Sequence, residues 1–171
     1  DGNFFINPSN GDVLICDNDN VAPDGVNLGI QGKPRYMAPE VVLLNHKPDT
    51  YSDRFSLAVI LFLLLFRNHP LAGKKDNDGD EPDKNERNLY CLNPIFIFDP
   101  NDKSNRPVQG VHPNPIKLWP RYPKFLQDAF IKSFCEGLKN PNQRLPENEW
   151  QKLLIRFRGT LLRCPHCSSE V

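Results

Sequence analysis

The sequence predicts a mainly α-helical fold with a short β-hairpin near the N-terminus, and three patterns support this prediction. Two apolar runs at 3–6 and 13–16 flank a cluster of turn-forming residues, which is typical of a hairpin. The run 55–66 is almost entirely apolar, as expected of a buried helix. Apolar side chains recur at helical spacing over 123–138 and over 147–162, which predicts two further helices.

The stretch between the hairpin and the buried helix is predicted to be a loop followed by one short helix. Residues 17–37 carry Asn, Asp, Gly and Pro at short intervals with little periodicity, which describes an extended loop. A short helix should begin near Pro39, because proline suits the first helical turn, and it should end before Pro48.

The buried helix should begin at Ser52 or Asp53, whose side-chain oxygens can accept hydrogen bonds from the free N–H groups of the first turn. It should continue to about Arg67. Because this helix is apolar on almost every face, we expect other helices to enclose it and the core of the domain to form around it.

The chain should fold as one domain over residues 1–160, followed by a short tail at 161–171. Within the domain, 74–115 is predicted to be a loop-rich insertion. Residues 74–87 are charged and lack large apolar side chains, so they should not bury enough surface to order themselves. Many of the 17 prolines fall between 94 and 123, where irregular structure should dominate.

Composition excludes several classes of partner. The chain has 21 basic and 21 acidic residues, so it lacks the positive charge expected of a protein that binds nucleic acid or an anionic membrane surface. Its longest apolar run is too short to cross a bilayer, which takes about 20 residues. Five cysteines at unrelated spacings favour a reducing compartment, and we expect the protein to be cytoplasmic.

The most informative stretch is a run of nine residues that ends in Ala-Pro-Glu, namely Gly32-Lys33-Pro34-Arg35-Tyr36-Met37-Ala38-Pro39-Glu40. This 32–40 motif resembles the pattern that closes the activation segment of eukaryotic-type protein kinases. The resemblance covers most of the chain, from Asn3 to about Leu154. It implies the large, C-terminal lobe of a kinase, which is α+β when intact, and it implies that Gly32, Lys33 and Tyr36 contact a protein substrate.

The same resemblance implies two magnesium ligands. Asn3 matches the Asn of the kinase catalytic loop, and Asp17 matches the Asp of the D-F-G motif. In the family both residues hold Mg²⁺ against the phosphates of ATP, so ATP and Mg²⁺ are the implied cofactors. Asn18 and Asp19 replace the Phe and Gly of that motif, which gives a D-N-D variant.

Three further residues match structural positions of the family. The Glu of the Ala-Pro-Glu sequence pairs with an Arg between the last helices, so we expect a buried ion pair between Glu40 and Arg144. Asp53 matches the Asp at the start of the central buried helix, which in the family accepts backbone N–H groups of the catalytic loop.

The resemblance also implies what this chain does not contain. The catalytic Asp would lie upstream of Asp1, and the small N-terminal lobe would be a missing partner. The chain alone should therefore not catalyse phosphoryl transfer. The parent protein is expected to be a Ser/Thr kinase. Its D-N-D variant and its tail favour a bacterial source. Two departures from the family pattern leave an alternative function open, that of a pseudokinase scaffold or binding module. They are Lys33, in place of the usual Thr, and the D-N-D variant.

The tail contains a possible half of a zinc ribbon. Cys164 and Cys167 have the C-x-x-C spacing that places two thiolates on adjacent corners of a tetrahedral zinc site. Two more ligands would have to come from elsewhere. The alternatives are an adaptor that works through this metal site and a flexible tail without metal.

Overall fold

The computed structural model describes residues 4–16, 21–24, 26, 32–77 and 87–167. Over these residues the fold is mainly helical, with one two-stranded antiparallel sheet, and this confirms the predicted fold class. None of the described helices is long and apolar enough to cross a membrane.

The predicted hairpin is present. Strand β1 (Phe4–Ile6) pairs with β2 (Val13–Ile15) in an antiparallel register that places Phe4 opposite Ile15. Gly11 lies in the connecting turn with a φ of 79°, a left-handed conformation that glycine adopts without steric cost. The chain therefore enters and leaves the hairpin at the same end, next to the pair of Phe4 and Ile15.

Five α-helices follow the hairpin in the described part of the chain. In chain order they are α1 (Pro39–Val42), α2 (Thr50–Phe66), α3 (Pro113–Leu118), α4 (Lys124–Ile131) and α5 (Glu147–Arg158). Short 3₁₀ turns occur at Pro34–Tyr36, Lys74–Asn77, Trp119–Arg121 and Pro141–Gln143, and π-helical turns occur at Asn88–Leu92 and Lys132–Glu136.

Helix α2 starts one turn earlier than predicted. Its cap is Asp49, whose carboxylate accepts a hydrogen bond from the backbone N–H of Ser52 at 2.8 Å, so the expected cap at Ser52 or Asp53 is wrong. Ser52 completes a capping box, because its hydroxyl accepts from the Asp49 N–H at 2.9 Å. At the other end Arg67 adopts a left-handed conformation that ends the helix, as predicted.

The core forms around α2. Phe62 is fully buried, and its ring lies 5.2 to 6.1 Å from the rings of Phe96, Phe130 and Phe134 in edge-to-face contacts. The helix is not enclosed on every face by described residues, however, because Leu64 remains 62% exposed. The prediction of complete enclosure is therefore wrong over the described residues, which pack mainly against the opposite face of α2.

The C-terminal helices are shorter than the ranges predicted from their apolar spacing. The predicted helix over 123–138 consists of α4 followed by a π-helical turn that ends at Gly137, and α5 ends at Arg158 instead of continuing to 162. Basic residues in the last turn and the glycine that follows are typical of a helix end.

The proline-rich stretch 94–123 contains more helix than predicted. Helix α3 begins at Pro113 and also contains Pro115, both within its first turn, where proline removes no intrahelical hydrogen bond. In the predicted insertion, the residues up to Asn77 form a 3₁₀ turn, while 78–86 lie outside the described residues.

Candidate functional site

The 32–37 segment forms an exposed 3₁₀ turn that crosses the surface of the helical body. Tyr36 N–H donates to the Lys33 carbonyl at 2.9 Å, and Lys33 and Arg35 are exposed while Tyr36 is half-buried against the core. The turn therefore presents its basic side chains outward and its aromatic side chain inward. Gly32, at the start of the segment, is exposed.

Two side chains from the helical body bond the backbone of this segment. The Ser56 hydroxyl, on α2, donates to the Tyr36 carbonyl at 2.7 Å. The His69 ring, just beyond the end of α2, lies 2.7 Å from the Arg35 carbonyl through Nε2. Hydrogen bonds from the helical body thus hold two consecutive carbonyl groups of the segment on the side away from solvent.

The ion pair predicted between Glu40 and Arg144 is present and bidentate. Arg144 Nη1 lies 2.6 Å from Glu40 Oε1, and Nη2 lies 3.0 Å from Oε2. The Arg144 side chain is only 1% exposed. Its Nη1 also donates to the Tyr51 carbonyl at 3.0 Å, and its Nε donates to the Gly137 carbonyl at 2.8 Å. This guanidinium therefore joins the end of the 32–40 motif to α2 and to the end of the π-helical turn.

Asp53 lies in the first turn of α2 within a group of acidic residues. Partial burial raises the pKa of its carboxyl group, and the nearby carboxylates of Asp49, Asp24 and Glu147 raise it further. Among the described residues, none donates a hydrogen bond to the Asp53 carboxylate. Its charge is therefore less favourable than that of an isolated aspartate, a cost that a partner donating N–H groups would offset.

The two predicted magnesium ligands, Asn3 and Asp17, lie outside the described residues. What the structure describes is the hairpin between them, in which Phe4 is paired with Ile15.

The tail pair is only partly placed. Cys164 is half-buried and Cys167 is exposed, with a turn over 165–167 between them. Within the described residues, no group of three or more His, Cys, Asp or Glu side chains is arranged to hold a metal ion. The two cysteines remain a predicted half-site.

A cleft on the described surface is separate from the predicted site. It has a volume of about 640 Å³ and lies between the Asn88–Leu92 turn and the Lys132–Glu136 turn, and no predicted site residue lines it. Burial, followed by the neighbouring Asp99 carboxylate, raises the pKa of the Cys135 thiol in this cleft to about 12. That thiol is therefore protonated near neutral pH and is a poor nucleophile.

From the sequence alone, His69 is expected to be a loop or packing residue. Its bond to Arg35 spans 34 positions of the chain, so no local pattern reveals it. The available clue was the His-Pro sequence at 69–70, which resembles the H-P-F that closes this region in kinases.

Comparison with known proteins finds no family model that matches the chain. Over 68 residues the chain is 34% identical to a "Probable serine/threonine-protein kinase" of Schizosaccharomyces pombe, a match that covers 39% of the chain and 9% of that protein. Over 88 residues it is 32% identical to a "Putative serine/threonine-protein kinase" of Acanthamoeba polyphaga mimivirus, covering 44% of the chain and 19% of that protein. The chain thus resembles Ser/Thr protein kinases over part of its length and spans under a fifth of each of these relatives.

Proposed function

We propose that this chain forms most of the large lobe of a protein kinase that transfers the γ-phosphoryl group of ATP to Ser or Thr hydroxyl groups of proteins. The observation that carries the proposal is the buried, bidentate pair of Glu40 with Arg144, which fixes the end of the 32–40 motif from a residue 104 positions away. Partial similarity to two Ser/Thr kinases supports the same function.

The 32–37 segment would receive the protein substrate. Gly32 and Lys33 are exposed, and Tyr36 fixes the turn against the body, so the backbone of the segment is presented to solvent in one shape. A fixed surface of this kind lowers the ordering cost of binding an extended peptide. The hydroxyl to be phosphorylated would then be held at one distance from the nucleotide.

The open end of the hairpin would hold Mg²⁺ through Asn3 and Asp17. Amide and carboxylate oxygens are ligands that Mg²⁺ prefers. Phe4 and Ile15 are paired, Asn3 precedes Phe4 by one position and Asp17 follows Ile15 by two, so a chain that spans at most about 3.3–3.6 Å per residue would allow both side chains to reach one site. When bound, the ion neutralises charge on the phosphates.

The remaining parts of the reaction would come from the rest of the parent protein. An Asp upstream of Asp1 would accept the proton of the substrate hydroxyl, and the small lobe would bind and orient ATP. Asp53 would accept backbone N–H groups from the same upstream loop. We therefore infer that the chain alone is inactive. The five cysteines at unrelated spacings support a reducing compartment, the cytoplasm, for the parent protein.

A pseudokinase scaffold is the second candidate. The D-N-D variant at Asp17-Asn18-Asp19 removes the Phe and Gly of the kinase motif, and Lys33 removes a hydroxyl that contacts the catalytic Asp in Ser/Thr kinases. In that case the 32–37 segment would bind a partner protein without phosphoryl transfer.

Zinc would be a structural cofactor of the tail. Cys164 and Cys167 would supply two thiolates, and the turn over 165–167 supports the spacing that such half-sites use. Two ligands from elsewhere would complete the site. Zinc content of the longer protein, compared with that of its Cys164→Ser variant, tests this part of the proposal.

The function is tested by phosphoryl transfer in the longer protein that contains this chain, with ATP, Mg²⁺ and a protein substrate. Asp17→Asn should lower kcat on the order of 100-fold, because it removes the carboxylate ligand of the Mg²⁺ that would neutralise phosphate charge in the transition state. Asp12→Asn is the matched control, since Asp12 lies by the hairpin turn and its carboxylate accepts from Asn10 Nδ2 at 2.6 Å.

The two candidate functions give different outcomes in this assay. The kinase is supported if the wild type transfers phosphate, Asp17→Asn lowers kcat on the order of 100-fold and Asp12→Asn leaves it unchanged. Equal activity in all three proteins contradicts the assigned role of Asp17. Binding of a partner protein without any transfer supports the scaffold.

A further inference from the structure

His69 has a single protonation state fixed by two backbone groups. The backbone N–H of Leu71 donates to Nδ1 at 3.1 Å, so this nitrogen is the unprotonated acceptor of the ring. Nε2 then carries the hydrogen and donates it to the Arg35 carbonyl at 2.7 Å. Burial lowers the pKa of this histidine to about 3, so the ring stays neutral near pH 7 and the donor remains on Nε2.

The ring is also fixed in space. His69 is only 3% exposed, and the edge-to-face contact with Tyr90 places the two ring centroids 4.5 Å apart. Leu71, which bonds Nδ1, is itself fully buried. The Nε2 donor therefore points to one place, the Arg35 carbonyl.

The Arg35 carbonyl belongs to the exposed turn, so a buried ring determines the shape of a surface segment. Ser56 acts on the next carbonyl, that of Tyr36, at 2.7 Å. The Arg35 side chain also lies over the Tyr36 and Tyr90 rings, with its guanidinium carbon 5.9 Å from each centroid. The contacts of His69 and Ser56 leave two successive peptide groups little freedom to rotate.

We propose that His69 is a positioning residue that holds the 32–37 segment in the conformation that receives the protein substrate. This proposal rests on the proposed function. His69 touches neither substrate nor nucleotide in this role; it acts through the Arg35 carbonyl. Loss of the bond would strand a partly buried carbonyl and let the turn adopt other conformations, which would weaken substrate binding before it affected chemistry.

A second buried histidine provides a matched control. His112 is 6% exposed, and its Nδ1 accepts the backbone N–H of Val108 at 3.1 Å, as His69 does with Leu71. The bond between Val108 and His112 is local, whereas His69 also bonds the Arg35 carbonyl in the 32–37 segment. A change common to both histidines reports the loss of a buried ring, and a change specific to His69 reports positioning.

Two substitutions separate the two bonds of His69. Asparagine is short, so His69→Asn can keep an acceptor for Leu71 N–H but cannot reach the Arg35 carbonyl. Glutamine places an amide N–H close to the position of Nε2, so His69→Gln can keep the bond to Arg35 and loses the one to Leu71. The pair therefore tests which bond matters for the substrate.

The experiment is steady-state kinetics of the longer protein with a protein substrate and with ATP. His69→Asn should raise KM for the protein substrate about 10-fold while kcat and KM for ATP change little, because uniform binding is lost. His69→Gln should restore KM to near the wild-type value, and His112→Asn should leave it unchanged. An equal rise in both His69 variants, no rise in either, or a loss confined to kcat overturns the proposal.

Amide hydrogen exchange on the same preparations distinguishes this proposal from the proposed function. The Tyr36 and Met37 amides, which bond the Lys33 and Pro34 carbonyls, should exchange faster in His69→Asn and not in His112→Asn. If the wild type transfers no phosphate, the proposed function fails while this readout still tests the anchoring by His69. Unchanged exchange in His69→Asn refutes that anchoring whatever the activity.

Discussion

The N-terminal hairpin and the helical body around α2 are both rich in large apolar side chains, yet they differ in burial. Leu14 in β2 is 64% exposed, whereas Phe62 in α2 is fully buried. A two-stranded ribbon has two faces and needs a second layer to cover either one, while α2 has helices and turns packed along much of its length. An apolar run in the sequence thus predicts side chains that are stabilised by burial, but only the packed structure shows which residues bury them.

The difference also separates two parts of the proposed function. The 32–37 segment is held by hydrogen bonds and a buried ion pair from the helical body, so its shape is determined by described residues. The proposed metal ligands Asn3 and Asp17 flank the hairpin, whose described faces are exposed. We therefore expect the body to serve substrate binding and the hairpin to serve the chemistry once other parts of the protein cover it.

The largest expected effect compares one core residue with one hairpin residue. Phe62→Ala should lower the free energy of unfolding by about 3–5 kcal/mol, because it leaves a cavity among packed aromatic rings. Leu14→Ala should change it by about 0.5 kcal/mol or less, as at other exposed sites. Urea unfolding of the chain measures both. Equal losses would show that the hairpin is packed as tightly as the core.

The second effect concerns charges in the helical body. Arg144→Ala should cost about 3–5 kcal/mol of unfolding free energy, since it leaves the Glu40 carboxylate without its partner. Arg54→Ala, which removes a more exposed pair with Glu147 at 3.3 Å, should cost at most about 1 kcal/mol. The same urea experiment checks this. Similar losses in the two variants would contradict a structural role for the Glu40–Arg144 pair.

The third effect is a pH dependence from His69. Its pKa is about 3 in the folded protein against 6.5 for the free side chain, so the unfolded state binds more protons between these values. The stability contribution is complete above pH 6.5 and falls as the pH is lowered toward 3, by at most about 1.4 kcal/mol per pH unit. Unfolding of wild type and His69→Gln at several pH values checks the slope, which should be shallower in the variant. Equal slopes would refute burial of a neutral His69.

The smallest effect is at Asp53. Asp53→Asn should raise the Tm of the chain slightly, on the order of 1 °C, because it removes repulsion from Asp49, Asp24 and Glu147. In the longer protein the same variant should lower kcat, since the carboxylate would no longer orient the upstream loop. A scanning unfolding experiment and the transfer assay measure the two effects. A lower Tm would show that the Asp53 carboxylate stabilises the chain itself.

Much of the fold could be predicted because it depends on local pattern. The hairpin followed from two apolar runs on either side of turn-forming residues, and α2 followed from its apolar run. The Asp49 cap was missed because several residues near the start of α2 carry suitable oxygens, and only backbone geometry selects among them. Helix α3 was missed because its prolines looked like helix breakers, although they occupy the first turn.

Residues of the candidate site could be predicted only where they belong to a recognisable sequence motif. Glu40 and Arg144 are 104 positions apart, and no periodicity connects them, so their pairing came from resemblance to a family. The His-Pro sequence at 69–70 resembles a family motif, but that resemblance does not show what His69 bonds. Both His69 and Ser56 bond backbone carbonyl groups, which every residue carries. A hydrogen bond to a backbone carbonyl does not require a particular residue type at the accepting position, so the sequence there does not indicate the bond.

The most direct test of the account is to measure kcat and KM of the longer protein in two variants, one from each region. Asp17→Asn, at the hairpin, should lower kcat on the order of 100-fold, and His69→Asn, in the helical body, should raise KM for the protein substrate about 10-fold at nearly unchanged kcat. Loss of the same kinetic parameter in both variants, or wild-type kinetics in both, would contradict the division between substrate binding and chemistry.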